Sequence, residues 1–211
     1  MNPVQGESTS GTESTGREPA ARFDIVAVAS SAGGITALGR VLGALPAGFP
    51  VPVLVVQHLD PRHRTVLADV LNRQTDLPVK LAEAGESAQP GTIYIAPPDR
   101  HLLAGPGGTL GLSDADPVNF VRPSADLLFE SLAGTYGPQA LACVLTGSGR
   151  DGAMGVEAVK ARGGTVIAQD PVSAQFKGMP QAAVSTGAVD YVLALEEIGA
   201  VLRGLIETGR Q

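Results

Sequence analysis

Three side chains in this sequence could together run acyl-transfer chemistry, and each follows an apolar run that ends abruptly. Ile25-Val26-Ala27-Val28-Ala29 stops in Ser30-Ser31-Ala32-Gly33-Gly34, Val53-Leu54-Val55-Val56 runs into Gln57-His58, and Leu141-Ala142-Cys143-Val144-Leu145 empties into Thr146-Gly147-Ser148-Gly149-Arg150-Asp151-Gly152. A serine nucleophile needs an imidazole to take and return its proton and a carboxylate to hold the imidazole's tautomer. Ser31, His58 and Asp151 offer one of each. Taken singly, each has a plainer reading. Ser30 and Ser31 suit a turn or helix cap, His58 a hydrogen-bonded boundary histidine, and Asp151 favourable charge at the start of a helix. Sequence spacing does not bring the three together. It places each after a different core strand.

Those strands must therefore share an edge. The run from Ile25 fits a buried parallel strand, and from Ile35 the period changes, with Ile35, Leu38, Leu42 and Leu45 on one face of a helix that Pro46 ends. Strands are expected at Val51 to Val56, Val79 to Ala82, Thr92 to Ala96, Ala140 to Leu145, Thr165 to Ala168 and Tyr191 to Leu193. Helices are expected over Thr65 to Arg73, after Ser124, through Val156 and Val159, and through Ile198, Val201, Leu202 and Leu205. Leu102 to Gly105 and Thr109 to Leu112 read as a small hairpin around Pro106-Gly107-Gly108, an edge feature or a lid. The expected fold class is α/β, a predominantly parallel sheet flanked by helices on both faces, with a small β-hairpin addition. Right-handed crossovers then open every strand's C-terminal end onto one edge, where ligands bind. Ser31, His58 and Asp151 all fall there, and a helix N-terminus after Ser31 would offer free N–H groups to an oxyanion.

Size and composition narrow the possibilities. The 211 residues, 44% of them hydrophobic, can bury one good core. Residues 1–22, rich in Gly, Ser, Thr and Glu, read as a disordered tail, and the domain is expected over 23–211. The longest apolar runs fall well short of the roughly 20 residues of a membrane span, and no signal segment is evident, so the expectation is a cytoplasmic protein without membrane insertion. A formal net charge of -6 and an aromatic content of 4% argue against nucleic-acid binding. No cofactor is expected, and His58, His63 and His101 lack the close spacings of a metal site. Cys143 lies inside an apolar run and reads as a small buried hydrophobe without a catalytic role. His63 and His101 read as solvated or locally bonded, with His101 the weaker rival base. Arg62, Arg64 and Arg150 are consistent with surface charges.

Two rivals use the same loops. Gly147-Ser148-Gly149-Arg150-Asp151-Gly152 is a literal G-x-G-x-x-G, with Asp170 following the next strand, and suits a dinucleotide-binding module. Against it, the motif comes late in the chain, Asp151 would set a carboxylate near the pyrophosphate, and Ser31 and His58 would go unexplained. An α/β-hydrolase elbow at Ala29 to Gly33 would put the base last, yet no histidine follows His101. A non-catalytic adaptor with this fold, binding a partner protein, is the remaining alternative.

The motifs Ala29-Ser30-Ser31-Ala32-Gly33-Gly34, Val56-Gln57-His58, Tyr94-Ile95-Ala96-Pro97-Pro98-Asp99, Arg122-Pro123-Ser124, Leu145-Thr146-Gly147-x-Gly149-x-Asp151-Gly152-Ala153 and Gly178-Met179-Pro180 resemble the catalytic domain of the CheB family of chemotaxis protein-glutamate methylesterases. The resemblance spans about residues 23 to 204. It implies a serine hydrolase that removes methyl esters from glutamates of chemoreceptor cytoplasmic helices, releasing methanol, with glutamine deamidation as a further activity in many members. Carried over by motif, Ser31 is the nucleophile, His58 the base and Asp151 the orienting acid, with Ala32 and Ser148 N–H groups expected to hold the oxyanion. Two departures stand out. Chemotaxis members usually carry an N-terminal receiver domain, which the 22 residues ahead of Phe23 do not supply. The glycine loop usually reads Thr-Gly-Met-Gly, and Ser148 stands here in place of the methionine.

Overall fold

A computed structural model describes residues 23–58 and 65–208. The tail at 1–22 and the residues Arg62, His63 and Arg64 lie outside the described residues. The main sheet has seven strands, β1 (Ile25–Ser30), β2 (Val53–Gln57), β3 (Val79–Leu81), β4 (Ile93–Ile95), β7 (Ala140–Val144), β8 (Thr165–Gln169) and β9 (Tyr191–Leu193), in the order β3-β4-β2-β1-β7-β8-β9. Every pairing in it is parallel. The chain leaves β1 outward through β2 and returns to β1's other side as β7. The strand order therefore reverses at β1, and the loops after β1 and β7 diverge to opposite faces, which opens a crevice.

Alternate residues of each central strand serve opposite layers. Val26, Val28, Val53, Val55, Leu141 and Cys143 face a layer built with α1 (Gly34–Gly43), α2 (Leu67–Leu71) and α6 (Leu195–Thr208). Ala27, Ala29, Leu54, Val56, Ala140 and Ala142 face α3 (Ala125–Tyr136), α4 (Ala153–Ala161) and α5 (Gly178–Ser185). The second face is alanine-rich, and small side chains allow helices to lie close to the sheet. Cys143 is wholly buried in β7, and burial pushes its thiol up to about 12, so it is inert.

Helix α5 has no counterpart in the pattern of hydrophobic spacing. It buries only Met179, Pro180 and Ala183, and Pro180 sits in its first turn, where a missing N–H costs no helical bond. The hairpin of β5 (His101–Ala104) and β6 (Leu110–Ser113) is a separate two-stranded antiparallel sheet and not an edge of the main sheet. Ala104 is fastened to α3, donating its N–H to Ser131 Oγ at 3.0 Å and accepting from Thr135 Oγ1 at 3.0 Å.

Helices α3 and α4 meet closely at Gly155. A Cβ there would lie 2.6 Å from the Phe129 Cβ and 3.0 Å from the Asp126 carbonyl oxygen. The Gly155 N–H donates to Asp126 Oδ1 at 2.8 Å, and Asn119 Nδ2 donates to Asp126 Oδ2 at 2.9 Å. Burial pushes the Asp126 carboxyl up to about 6; the Gly155 bond opposes the rise, and the nearby Asp151 charge adds to it. Gly155→Val should lower unfolding stability by about 1–3 kcal/mol or more in urea titrations, because neither backbone can withdraw without parting the helices. Asp126 carries a pH signature as well. From about 6 down to its ordinary value of 3.8, the folded chain holds a proton that the unfolded chain has released, so this group adds stability as pH falls through that window. Wild type should therefore gain on Asp126→Asn between about pH 7 and pH 4.5; a stability difference that is flat with pH would count against this account.

Candidate active site

Strand pairing brings two of the three residues together. Ser30 and Gln57 are the last register pair of β1 and β2, so Ser31 and His58 are the next residues beyond the ladder, and the His58 N–H donates to the Ser30 carbonyl at 3.1 Å. Gln57 separates the two serines. Ser30 is fully buried and its Oγ–H donates to Gln57 Oε1 at 2.7 Å. Gln57 Nε2 in turn donates to the carbonyls of Ser31 and His58, each at 2.9 Å. Ser31, half-buried just past the strand, has a hydroxyl with no hydrogen bond among the described residues. Of the pair, only Ser31 has an unbonded hydroxyl among the described residues. Gly33 completes its turn at φ 74°, a conformation that favours glycine.

Asp151 joins from the other side of β1. Its Oδ2 lies 2.8 Å from His58 Nε2, and the two side chains are 4% and 13% exposed, Asp151 and His58 respectively. The carboxylate is also the N-terminal cap of α3. Its Oδ2 accepts from Ala125 N–H at 2.6 Å, while Oδ1 accepts from Ser124 Oγ at 2.8 Å and from Asp126 N–H at 3.2 Å. Burial alone would raise the Asp151 pKa. The bonds from His58, Ala125 and Ser124 outweigh it and hold the carboxyl below its ordinary range. The acid is thus ionised, oriented, and engaged with Nε2 of the imidazole.

Two expectations shift in detail. Ser124 does begin α3, but its hydroxyl caps nothing; it donates to Asp151, and Asp151 caps the helix. Asp151 in turn serves the distant helix α3 and not the first turn of its own following helix. His101, the rival base, is fully buried, with Nδ1 accepting from Ser124 N–H at 3.1 Å and Nε2 3.2 Å from the Asp116 carbonyl. It braces the residue behind Asp151.

The glycine loop closes the fourth side. A Cβ at Gly147 would lie 2.9 Å from the Ser31 Cβ and 2.2 Å from Met179 Sδ, so only glycine lets this loop pass beside the serine. Gly147 N–H donates to the Phe176 carbonyl at 3.0 Å, and its own carbonyl accepts from Met179 N–H at 2.9 Å. Thr146 ties the walls together: its N–H donates to Gln169 Oε1 at 2.9 Å, its Oγ1 accepts from Phe176 N–H at 2.9 Å, and that hydroxyl lies 3.1 Å from the Ala32 carbonyl. Ala32 N–H and Ser148 N–H make no hydrogen bond among the described residues. Gln57, Thr146, Gln169, Ser124 and Asp126 were not singled out by sequence reading as parts of this site.

The same geometry disfavours the dinucleotide alternative. Gly147 N–H is already bonded, Asp151 is buried into α3, and Asp170 is spent on a turn, its Oδ1 accepting from Val172 N–H at 2.9 Å. No cluster of three or more His, Cys, Asp or Glu among the described residues could hold a metal ion.

The family model described as CheB methylesterase matches residues 26–202. A protein-glutamate methylesterase/protein-glutamine glutaminase of Myxococcus xanthus is 46% identical over 181 residues, covering 86% of this chain and 51% of that protein. A putative enzyme of the same description from Leptospira interrogans is 38% identical over 176 residues, covering 83% of this chain and 91% of its own length. The crystal structure of the Thermotoga maritima CheB methylesterase catalytic domain superposes with a TM-score of 0.83 at 40% identity, covering 87% of this chain and 98% of that one. The chain spans about half the length of the Myxococcus relative and nearly all of the Leptospira one. With its parallel sheet, its strand-end loops and these relatives, this chain belongs to the CheB methylesterase family and has the fold of that family's catalytic domain.

Proposed function

We propose that the protein is a serine esterase that removes methyl groups from γ-glutamyl methyl esters on a protein substrate, with Ser31 as nucleophile, His58 as base and Asp151 as orienting acid. The observation that carries this reading is the His58 to Asp151 hydrogen bond set beside a serine hydroxyl left free while its neighbour Ser30 is bonded away.

Ser31 Oγ attacks the ester carbonyl as its proton passes to His58 Nδ1, the nitrogen not committed to Asp151. The negative charge that develops on the carbonyl oxygen goes to the free N–H groups of Ala32 and Ser148, and removing one such donor typically costs roughly 10²–10³ in rate. Collapse of the tetrahedral intermediate breaks the bond to methoxide, which takes the proton from His58 and leaves as methanol. Water then gives a proton to His58 and attacks the acyl-enzyme, the proton returns to Ser31 Oγ as the glutamic acid side chain is released, and that acid gives its own proton to solvent. Throughout, the Asp151 carboxylate stabilises the imidazolium without itself taking the proton. A glutamine side chain would reach the same acyl-enzyme with ammonia as leaving group. The relatives' names point to protein glutamates and glutamines as the groups acted on; we take a chemoreceptor-type protein as the substrate and the cytoplasm as the setting, and no helix among the described residues is long and apolar enough to cross a membrane.

A fluorophosphonate probe should label the wild-type protein and spare Ser31→Ala, whose methanol release from a methylated receptor fragment should fall by about 10⁴-fold or more. Labelling of both proteins would exclude Ser31 as the nucleophile. Asp151→Asn should lower kcat by about 10⁴-fold with KM little changed. The same variant should also melt earlier than wild type, because α3 loses its charged cap. A kcat loss without a shift in melting temperature would separate the two roles assigned to Asp151.

A further inference from the structure

The segment between β8 and α5 runs over the Ser31 turn and presents apolar side chains outward. Phe176 is bonded through its N–H and carbonyl to Thr146 and Gly147, and a Cβ at Gly33 would lie 2.6 Å from Gln175 Oε1. This segment is therefore continuous with both turns of the site. An ordered turn holds it: the Asp170 carbonyl accepts from the N–H groups of Ser173 and Ala174, each at 3.0 Å, and Asp170 Oδ1 accepts from Val172 N–H.

On its outer side lies an open groove of about 590 Å³ lined by Pro171, Val172, Gln175, Phe176, Lys177 and Gln181. Val172 is 93% and Phe176 41% exposed. Apolar side chains held outward on a fixed turn beside a reaction centre gain by being covered. Lys177 is exposed, and its ammonium makes no ion pair or hydrogen bond among the described residues, although the chain carries a net charge of -6. An unpaired cation at the rim of an acidic protein is complementary to carboxylates on a partner.

The occupant follows from where the groove lies. Whatever delivers a glutamyl ester to Ser31 brings neighbouring residues of the same polypeptide over this segment. We propose that the groove is a docking subsite for the protein substrate, taking an apolar side chain on Val172 and Phe176 and a carboxylate on Lys177, both close in the chain to the esterified glutamate. The proposal rests on the esterase reading above.

The test uses two substrates, a methylated chemoreceptor cytoplasmic fragment assayed by methanol release and the small ester p-nitrophenyl acetate. In the double variant Val172→Ser/Phe176→Ser, the ratio of kcat/KM for the protein substrate to that for the small ester should fall roughly tenfold, through KM. Lys177→Glu, a surface change that leaves the apolar groove intact, should lower the same ratio at low salt and lose most of its effect near 0.5 M salt. An unchanged ratio in both variants overturns the subsite, as does a parallel fall on both substrates, which would mean that the segment only supports the Ser31 turn. A change in sedimentation state in either variant would assign the groove to a second copy of this chain and would also overturn it. Wild-type protein that leaves both substrates intact would instead overturn the esterase reading, and the subsite with it.

Discussion

The buried carboxylate of Asp151 is the interaction on which the rest of the site depends. Removing an ionised carboxylate from water costs several kcal/mol unless donors replace the lost hydration. Here one imidazole, one hydroxyl and two backbone N–H groups do so. The two backbone donors belong to the first turn of α3, where the helix leaves N–H groups unpaired and its dipole favours negative charge. One charge therefore satisfies a helix end and fixes a histidine ring. The arrangement needs α3 to arrive with its N-terminus at the C-terminal edge of β7, and the hairpin, Ser131 and His101 all serve that placement.

Beside Asp151 sits a second carboxylate held differently. Asp126 accepts from Gly155 and Asn119, outside the reach of His58, and its raised pKa contrasts with the lowered one of Asp151. The difference lies in the partners. Asp151 collects four donors, one of them the ring of His58, whereas at Asp126 burial outweighs the backbone N–H groups and the Asn119 amide, and the charge of Asp151 adds to the rise. Neighbouring acids thus separate into a carboxylate held below its ordinary range and one raised to about 6.

Much of this was legible in the chain. The apolar runs at Ile25, Val53 and Leu141 read correctly as buried parallel strands, and placing Ser31, His58 and Asp151 at their C-terminal ends needed only the rule that such ends share an edge. Local patterns could not show that Ser30 is bonded to Gln57, 27 residues away, or that Thr146 is bonded to Gln169 across a similar gap. Polar partners of that kind obey no period. Helix α5 escaped because only Met179, Pro180 and Ala183 are buried in it, and the helix opens with a glycine and carries a proline. The G-x-G-x-x-G pattern misled for a related reason: its glycines answer close packing against Ser31 and Met179, a demand that produces the same letters as a phosphate cradle.

Gln57 has a consequence for how the chemistry is paced. A single buried amide accepts from Ser30 and donates to the carbonyls of Ser31 and His58. Ser31 and His58, between which the proposed mechanism passes a proton, therefore follow directly from the paired ends of β1 and β2 and are held by one amide. On that proposal, the cost of bringing donor and acceptor together is met when the sheet folds and does not recur with every turnover. The proton transfer proposed for the site therefore depends on the pairing of two core strands and not on the surface segments that would meet a protein substrate.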